Sequence, residues 1–279
     1  MRQTYEGEMQ AMAKLTQIGR IMLAPMLALT TSLMPVASGL VVMFYQLERK
    51  LEENARVSVQ EAVYAIDGAL DRLHASAELV LPLAGKPCSQ AQEKLVGLLQ
   101  GGQRLQSLVL AQEGKGYCSS MDDALLYDSL FIDQDHPAML VFDPPTAPNA
   151  VLVVYQLRQD NLRVYASAYG MELRNELRGF QDGLTLLLEF GEDYIWSHGD
   201  SRDADRPSQS EFFETAHSEK YGYTVKGGYE TGFTAREARQ SLLQTMPSIA
   251  LVGILTGSIV YWGMVRVRRK ALGATASRS

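Results

Sequence analysis

Two long apolar runs on either side of an acidic middle constrain the fold of this chain most. The first run, Ile21 to Tyr45, has 25 positions and no charged residue, and the second, residues 247–265, has 19. About 20 apolar residues are enough for a helix to span the hydrocarbon core of a bilayer. The sequence therefore predicts two transmembrane helices, residues 21–45 and 247–265, with a large domain, residues 46–246, between them.

The charges predict the orientation of these helices. Three basic and two acidic residues precede the first run, five basic and no acidic residues follow the second, and the middle has 18 basic and 30 acidic residues. Basic residues stay on the cytoplasmic side of a membrane. We therefore expect residues 1–20 and the tail 266–279 in the cytoplasm and the middle outside it. In a bacterium, this orientation places the helices in the inner membrane and the middle in the periplasm. An acidic middle argues against nucleic-acid binding, which needs clustered basic residues.

A cleaved signal peptide is the alternative for the first run, because Val36, Ala37 and Ser38 resemble a cleavage site. The run continues past this site to Tyr45, which favours a membrane helix. Pro25 and Pro35 are expected to kink that helix, as prolines do in lipid.

The middle begins with a long helix predicted over Gln46 to Leu83, where apolar residues recur every three or four positions. Pro82 and Pro87 are expected to end it. Its charged residues, among them Asp67 and Asp71, are predicted to form a solvated face, and His74 to be a packed or hydrogen-bonded side chain.

The pattern in the rest of the middle region predicts an α+β domain with a mostly antiparallel sheet, an arrangement that resembles PAS-like periplasmic sensor domains. Helices are predicted over Ser89–Gln100 and Leu173–Phe180, and Thr234 with Glu237 predicts a capping box that starts a last helix. Residues 200–209 are predicted to form an exposed loop. Strands are predicted over residues 105–111, 117–120, 139–142, 150–156, 162–169, 184–190 and 221–227.

The chain has two cysteines, Cys88 and Cys118, both in the middle region. A cysteine pair outside the cytoplasm is typical of a disulfide, because oxidising compartments keep such pairs closed. In the second run, Gly253 and Gly257 are four residues apart, a spacing that lets two membrane helices approach closely and that predicts a homodimer contact.

Two flanking apolar runs, an early cysteine and the later Cys118-Ser119-Ser120 together resemble the CSS-motif domain, the periplasmic input half of bacterial membrane cyclic-di-GMP phosphodiesterases. The resemblance implies that a Cys88–Cys118 disulfide keeps a cytoplasmic EAL phosphodiesterase domain less active and that the thiol form is the active one. It also implies a periplasmic thiol-oxidation machinery and periplasmic proteases as partners, and dimerisation through the helix that contains Gly253 and Gly257.

The chain departs from this family at its C-terminal end, where 14 residues follow Val265 and no EAL domain can be read. We therefore expect no phosphodiesterase activity and no cofactor in this chain, which would be a stand-alone CSS-motif protein or the input part of a longer one. A separate cytoplasmic EAL protein would then be an output partner.

Other chemistry is less well supported by the sequence. Ser119 and Ser120 lack the G-x-S-x-G context of a hydrolase nucleophile. A metal site is not expected from the acidic group with one histidine, which has no recognised ligand spacing: Asp122, Asp123, Asp128, Asp133, Asp135 and His136.

Two functions thus stay open: a redox-responsive signalling module with the disulfide as its switch, and a small-ligand sensor in which the disulfide is only structural. The ligand pocket of the second would be lined by Tyr155, Tyr165, Tyr169, Trp196 and Tyr223.

Overall fold

The computed structural model describes residues 2–100, 105–121, 136–145, 147–180 and 183–276, with the backbone alone for residues 2–24 and 267–276. The chain divides into a central unit, Leu51–Phe233, and a helical pair formed by the residues on either side of it. The acidic group from Asp122 to Asp135 lies outside the described residues.

The first helix, α1 (Arg2–Val80), is continuous through Pro25 and Pro35 and ends just before a short 3-10 helix, Leu81–Leu83. In the central unit α1 buries one apolar stripe at the three-and-four spacing that a packed helix requires. This stripe consists of Ala55, Val59, Ala62, Ile66, Leu70, Leu73, Ala77 and Val80, each at most 5% exposed. The helix α2 (Cys88–Gln100) follows and buries Ala91 and Leu95.

The first sheet has five antiparallel strands in the order β2-β1-β5-β4-β3. A two-residue turn with left-handed Glu113 and Gly114 joins β1 to β2, as tight hairpins require. One face of the sheet buries a cluster that contains Val109, Val154 and Tyr165. The strands are β1 (Ser107–Gln112), β2 (Lys115–Ser119), β3 (Ala138–Phe142), β4 (Val151–Gln159) and β5 (Leu162–Tyr169).

A short helix, α3 (Gly170–Arg178), leads from β5 to a second antiparallel sheet, whose strand order is β7-β6-β9-β8. Tyr223, directly before β9, and Tyr229, the last residue of β9, are among the largest fully buried side chains of the described chain. The strands are β6 (Thr185–Phe190), β7 (Asp193–Trp196), β8 (Glu211–His217) and β9 (Thr224–Tyr229).

The α+β class with a long N-terminal helix is confirmed, and each strand predicted from the sequence has a counterpart. The antiparallel strands form two sheets, and β7 and β8 were not predicted. The predicted last helix is present as α4 (Phe233–Ala276), which begins one residue before Thr234.

In the helical pair, the N-terminal part of α1 packs antiparallel against α4. Small residues face each other at the closest approach, where a Cβ built at Gly253 would lie 2.8 Å from the carbonyl oxygen of Ser32. A Cβ at Gly257 would lie equally close to the Cβ of Ser32, and one at Gly39 would lie 3.3 Å from Ile249. Both helices contain a stretch long and apolar enough to cross a membrane, by length and composition alone.

Candidate functional site

The two cysteines form a disulfide, with 5.1 Å between the Cα atoms of Cys88 and Cys118. Cys88 is the first residue of α2, and Cys118 lies in β2, the edge strand of the first sheet. Cys118 is fully buried, whereas Cys88 is half-buried. The bond therefore joins the start of a helix to a sheet edge, and its accessible end is at Cys88.

A second contact ties the same two segments together. Gly85 lies between the 3-10 helix and α2, and its backbone has a φ of +85°, which favours glycine. Its N–H donates to the hydroxyl of Tyr117, the neighbour of Cys118, over 2.7 Å. We call Ala84–Pro87 the connector. The connector, Cys88 and β2 together are called the disulfide corner. Two adjacent β2 residues thus fix the chain that follows the end of α1.

The serines of the motif have structural partners. The Ser120 hydroxyl accepts a hydrogen bond from the N–H of Leu108 over 2.9 Å, and the Ser120 N–H donates to the Leu108 carbonyl over 2.9 Å. The Ser119 hydroxyl accepts from the N–H of Met121 over 3.1 Å. Both residues are buried, so they anchor the end of β2 to β1 and shape the turn that follows it.

One polar side of α1 is bonded to the rest of the central unit, contrary to the prediction that Asp67 and Asp71 are solvated. The Asp67 carboxylate accepts hydrogen bonds from the hydroxyls of Tyr223 and Ser218, each over 2.7 Å. Asp71 pairs with Lys220 and accepts a hydrogen bond from the Tyr221 hydroxyl. Both aspartates are thereby fixed to the loop that precedes β9.

The same side of α1 continues to the first sheet. The ring of His74 is hydrogen-bonded through Nδ1 to the hydroxyl of Tyr155 in β4 over 2.7 Å, and its Nε2 lies 3.2 Å from Glu78. The prediction of a hydrogen-bonded His74 is confirmed. We call Asp67, Asp71, His74 and their partners the α1 ladder.

The electrostatics of the α1 ladder favour a charged aspartate and neutral tyrosines. Hydrogen bonds from Lys220 and Tyr221 lower the pKa of Asp71 below its usual value. Burial, reinforced by hydrogen bonding to Asp71 and Asp67, raises the pKa of Tyr221 and Tyr223 far above that of a free tyrosine. At neutral pH the hydroxyls of Tyr221 and Tyr223 therefore keep the protons that they donate to Asp71 and Asp67.

A second polar network lies at the loop after β7. The Asp200 carboxylate, 7% exposed, binds Arg174 of α3 over 2.9 Å and Arg202 over 2.8 Å. Arg202 also pairs with Asp143 over 2.7 Å. The hydrogen bond from Arg202 is the main reason why the pKa of Asp200 is lowered. This network links α3, the turn between β3 and β4, and the loop that begins at Asp200.

The five aromatic residues proposed for a ligand pocket do not share one. Tyr155 faces α1, Tyr165 lies in the cluster on the opposite face of the first sheet, and Tyr223 bonds Asp67. Tyr169 is exposed, and Trp196 lies in β7 of the second sheet. A cavity of about 630 Å³ lies elsewhere, between α1, α3 and the first sheet, and none of the five lines it.

Gly253 and Gly257, predicted to pack against a second copy, face Ser32 of α1 in the same chain. The homodimer contact through these residues stays a prediction. Gly253 and Gly257 already contact the first apolar helix, so a dimer would have to form beside this contact or replace it.

The fold and the site define a class: an α+β domain with an internal disulfide, preceded and followed in the sequence by an apolar helix long enough to cross a membrane. The model of the family described as "CSS motif domain associated with EAL" matches residues 51–242, more than half of the chain. The chain belongs to this CSS-motif family.

Among solved structures, the extracellular domain of rpHK1S-Z16, a proposed histidine kinase, is similar to this chain at 14% sequence identity and a TM-score of 0.46. The match covers 67% of this chain and 96% of that one. No curated protein matches the chain.

Proposed function

We propose that the chain is a multi-pass protein of the bacterial inner membrane whose periplasmic domain, residues 46–246, signals redox state through the Cys88–Cys118 disulfide. Two bonds to β2 carry this proposal: the Gly85–Tyr117 hydrogen bond from the connector and the disulfide from Cys88, the residue after the connector. They mean that one reducible bond helps to fix the segment into which α1 leads.

Membrane insertion is supported by the exposed apolar side chains of the helical pair. Leu29 and Met34 of α1, like Ile254 and Ile259 of α4, are more than 60% exposed, and such surfaces suit lipid contact. The basic residues after position 265 support a cytoplasmic C-terminus.

The switch reaction is a two-electron thiol–disulfide exchange with a periplasmic dithiol. A thiolate of that reductant attacks the sulfur of the more accessible Cys88, the S–S bond breaks, and Cys118 leaves as a thiolate and is protonated. The second thiol of the reductant then attacks the mixed disulfide, so that Cys88 is released as a thiol and the reductant becomes a disulfide. A thiol-oxidation machinery would run the reverse reaction.

Reduction would leave the connector attached to β2 through the Gly85–Tyr117 hydrogen bond, without a covalent link. The α1 ladder offers this helix discrete bonding partners, and packed elements shift between discrete arrangements rather than deforming continuously. Since α1 is one helix from Arg2 to Val80, a change at its end can reach the membrane. By family association, the output is an EAL phosphodiesterase for cyclic-di-GMP in a separate or longer protein. Periplasmic proteases would act on the domain, and the working unit would be a homodimer.

Limited proteolysis of the full chain in membrane vesicles tests this proposal. Lys94 is exposed on α2, six residues after Cys88, so trypsin should cut after it faster once a dithiol reductant has opened the bond. Cleavage after Arg158, exposed in the β4–β5 hairpin, is the internal control and should not change. A Cys88→Ser/Cys118→Ala variant should behave as the reduced protein with or without reductant. Equal cleavage after Lys94 in all states would refute the switch.

A further inference from the structure

The cavity between α1, α3 and the first sheet has apolar walls. Its floor is formed by Val153 and Ala168, which are paired neighbours in β4 and β5, and Leu73 of α1 and Leu173 of α3 form its sides. Small side chains leave the space open, since Ala69 on α1 and Ala168 on the sheet face it. A volume of about 630 Å³ falls within the range of small-molecule sites, and all of these residues belong to the central unit.

The polar groups of the cavity carry charges of both signs. Arg72 comes from α1, and Glu172 and Glu176 come from α3. The guanidinium of Arg72 lies 3.5 Å from the carboxylate of Glu176, and these side chains are 60% and 35% exposed. An ion pair this long and this exposed contributes little to stability. It can therefore open for a ligand at small cost.

We infer that this cavity binds a small zwitterion with an apolar side chain, that is, an apolar α-amino acid. The ligand carboxylate would bind Arg72, its ammonium group would bind the α3 carboxylates, and its side chain would contact Leu73, Leu173 and Val153. The Arg72–Glu176 pair is exchanged for two protein–ligand pairs, so no charge is left without a partner. This site is separate from the disulfide corner, and the inference goes beyond the redox function.

The same contacts discriminate against related molecules. An apolar carboxylic acid brings no ammonium group to Glu172 and Glu176, and an apolar amine brings no carboxylate to Arg72 and is repelled by it. Glycine has both charges but no side chain to bury against the apolar walls, where apolar contact provides most of the affinity. Both charges and the side chain are therefore required.

Isothermal titration calorimetry of the full chain in nanodiscs, with the disulfide intact, tests the inference. L-leucine, L-isoleucine and L-phenylalanine are titrated separately, and at least one should bind saturably. Three molecules related to that amino acid should each bind at least about tenfold more weakly: the matching amide, the matching carboxylic acid without the amino group, and glycine. Each lacks one contribution, either hydrogen bonds to a charged group or apolar burial, and each such contribution is worth about a factor of ten in affinity. Absence of binding by all three amino acids would overturn the inference.

Two variants locate the site, and a third is the control. Arg72→Gln removes an exposed cation and should weaken binding about tenfold or more, whereas the matching amide, a cation that Arg72 repels, should bind no more weakly than it does to the parent protein. Ala69→Leu places three further carbon atoms in the cavity and should weaken binding by taking part of the space of the ligand side chain. Arg158→Gln removes an arginine from the exposed β4–β5 hairpin and should leave the affinity unchanged. Unchanged amino-acid affinity in Arg72→Gln would place the binding elsewhere and refute the proposal, whatever the folding of Ala69→Leu.

Discussion

Removing the disulfide should destabilise the central unit by an amount that follows from the length of the loop it closes. The two cysteines are 30 residues apart. In the chain-entropy model, opening such a loop costs roughly 3.6 kcal/mol at 25 °C through the entropy of the unfolded chain. For a domain of about 150–250 residues this corresponds to a fall in Tm of about 7–14 °C. We expect this fall in the Cys88→Ser/Cys118→Ala variant, where alanine replaces the buried Cys118 because a buried hydroxyl without a partner would add its own cost.

Thermal unfolding of the full chain in nanodiscs measures this effect. The chain has two tryptophans, and a Trp262→Phe background leaves the fluorescence of Trp196, in β7, as a report on the central unit alone. Adding a dithiol reductant to the parent protein should reproduce the lowered Tm, and adding it to the variant should change nothing. A fall in Tm of less than about 2 °C, which corresponds to less than one kcal/mol for a domain of this size, would refute the reasoning, since the bond would then not stabilise the domain by constraining the unfolded chain.

Three further predictions concern other parts of the molecule. Asp200→Asn should lower the stability at pH 7, and acid unfolding curves should show that the variant loses less stability below pH 5 than the parent. The pKa of Asp200 is lowered in the folded state. Its contribution to stability is therefore present above the unfolded-state pKa of about 4 and disappears as the pH falls through the folded-state pKa. Gly253→Val should destabilise the helical pair in detergent by crowding, whereas Gly263→Val, with open space at its Cβ position, should not; equal effects would contradict the close approach. Reporter fusions after Lys270 and within the loop Asp200–Gln209 should indicate opposite sides of the membrane, and the same side for both would mean that an apolar helix has been misassigned.

The parts of the fold that local sequence determines were predictable. The apolar stripe of α1 from Ala55 to Val80 repeats at helical spacing, and β5 matches its predicted range because Leu162–Tyr169 is an uninterrupted strand-forming run between turn residues. The β1–β2 hairpin follows from the glycine at its turn. Each of these signals lies within a few residues of the element it specifies.

Long-range partners could not be read from the sequence. Asp67 and Asp71 look like members of a solvated helix face, and their tyrosine and serine partners lie about 150 residues away. The strand β8 alternates between half-buried and exposed residues, so its sequence carries little apolar signal and its place depends on pairing with β9. The cavity arises from alanines on elements that are far apart in sequence, Ala69 and Ala168, and no local pattern marks it.

The disulfide was predictable because both cysteines of the chain lie in the region expected outside the cytoplasm. The second contact of the disulfide corner was not, because a glycine and a tyrosine 32 residues apart carry no pairing signal. Together, this contact and the disulfide attach the segment that follows α1 to β2.

Hydrogen exchange of the full chain in nanodiscs, compared between the disulfide and dithiol states, tests the redox switch most directly. The account predicts faster exchange in the dithiol state at the last turns of α1 (Leu73–Val80), in the connector and in α2, with β8 of the second sheet unchanged as an internal reference. Faster exchange confined to Cys88 and Cys118 and their immediate neighbours, with α1 protected equally in both states, would contradict it and leave the disulfide as a structural cross-link.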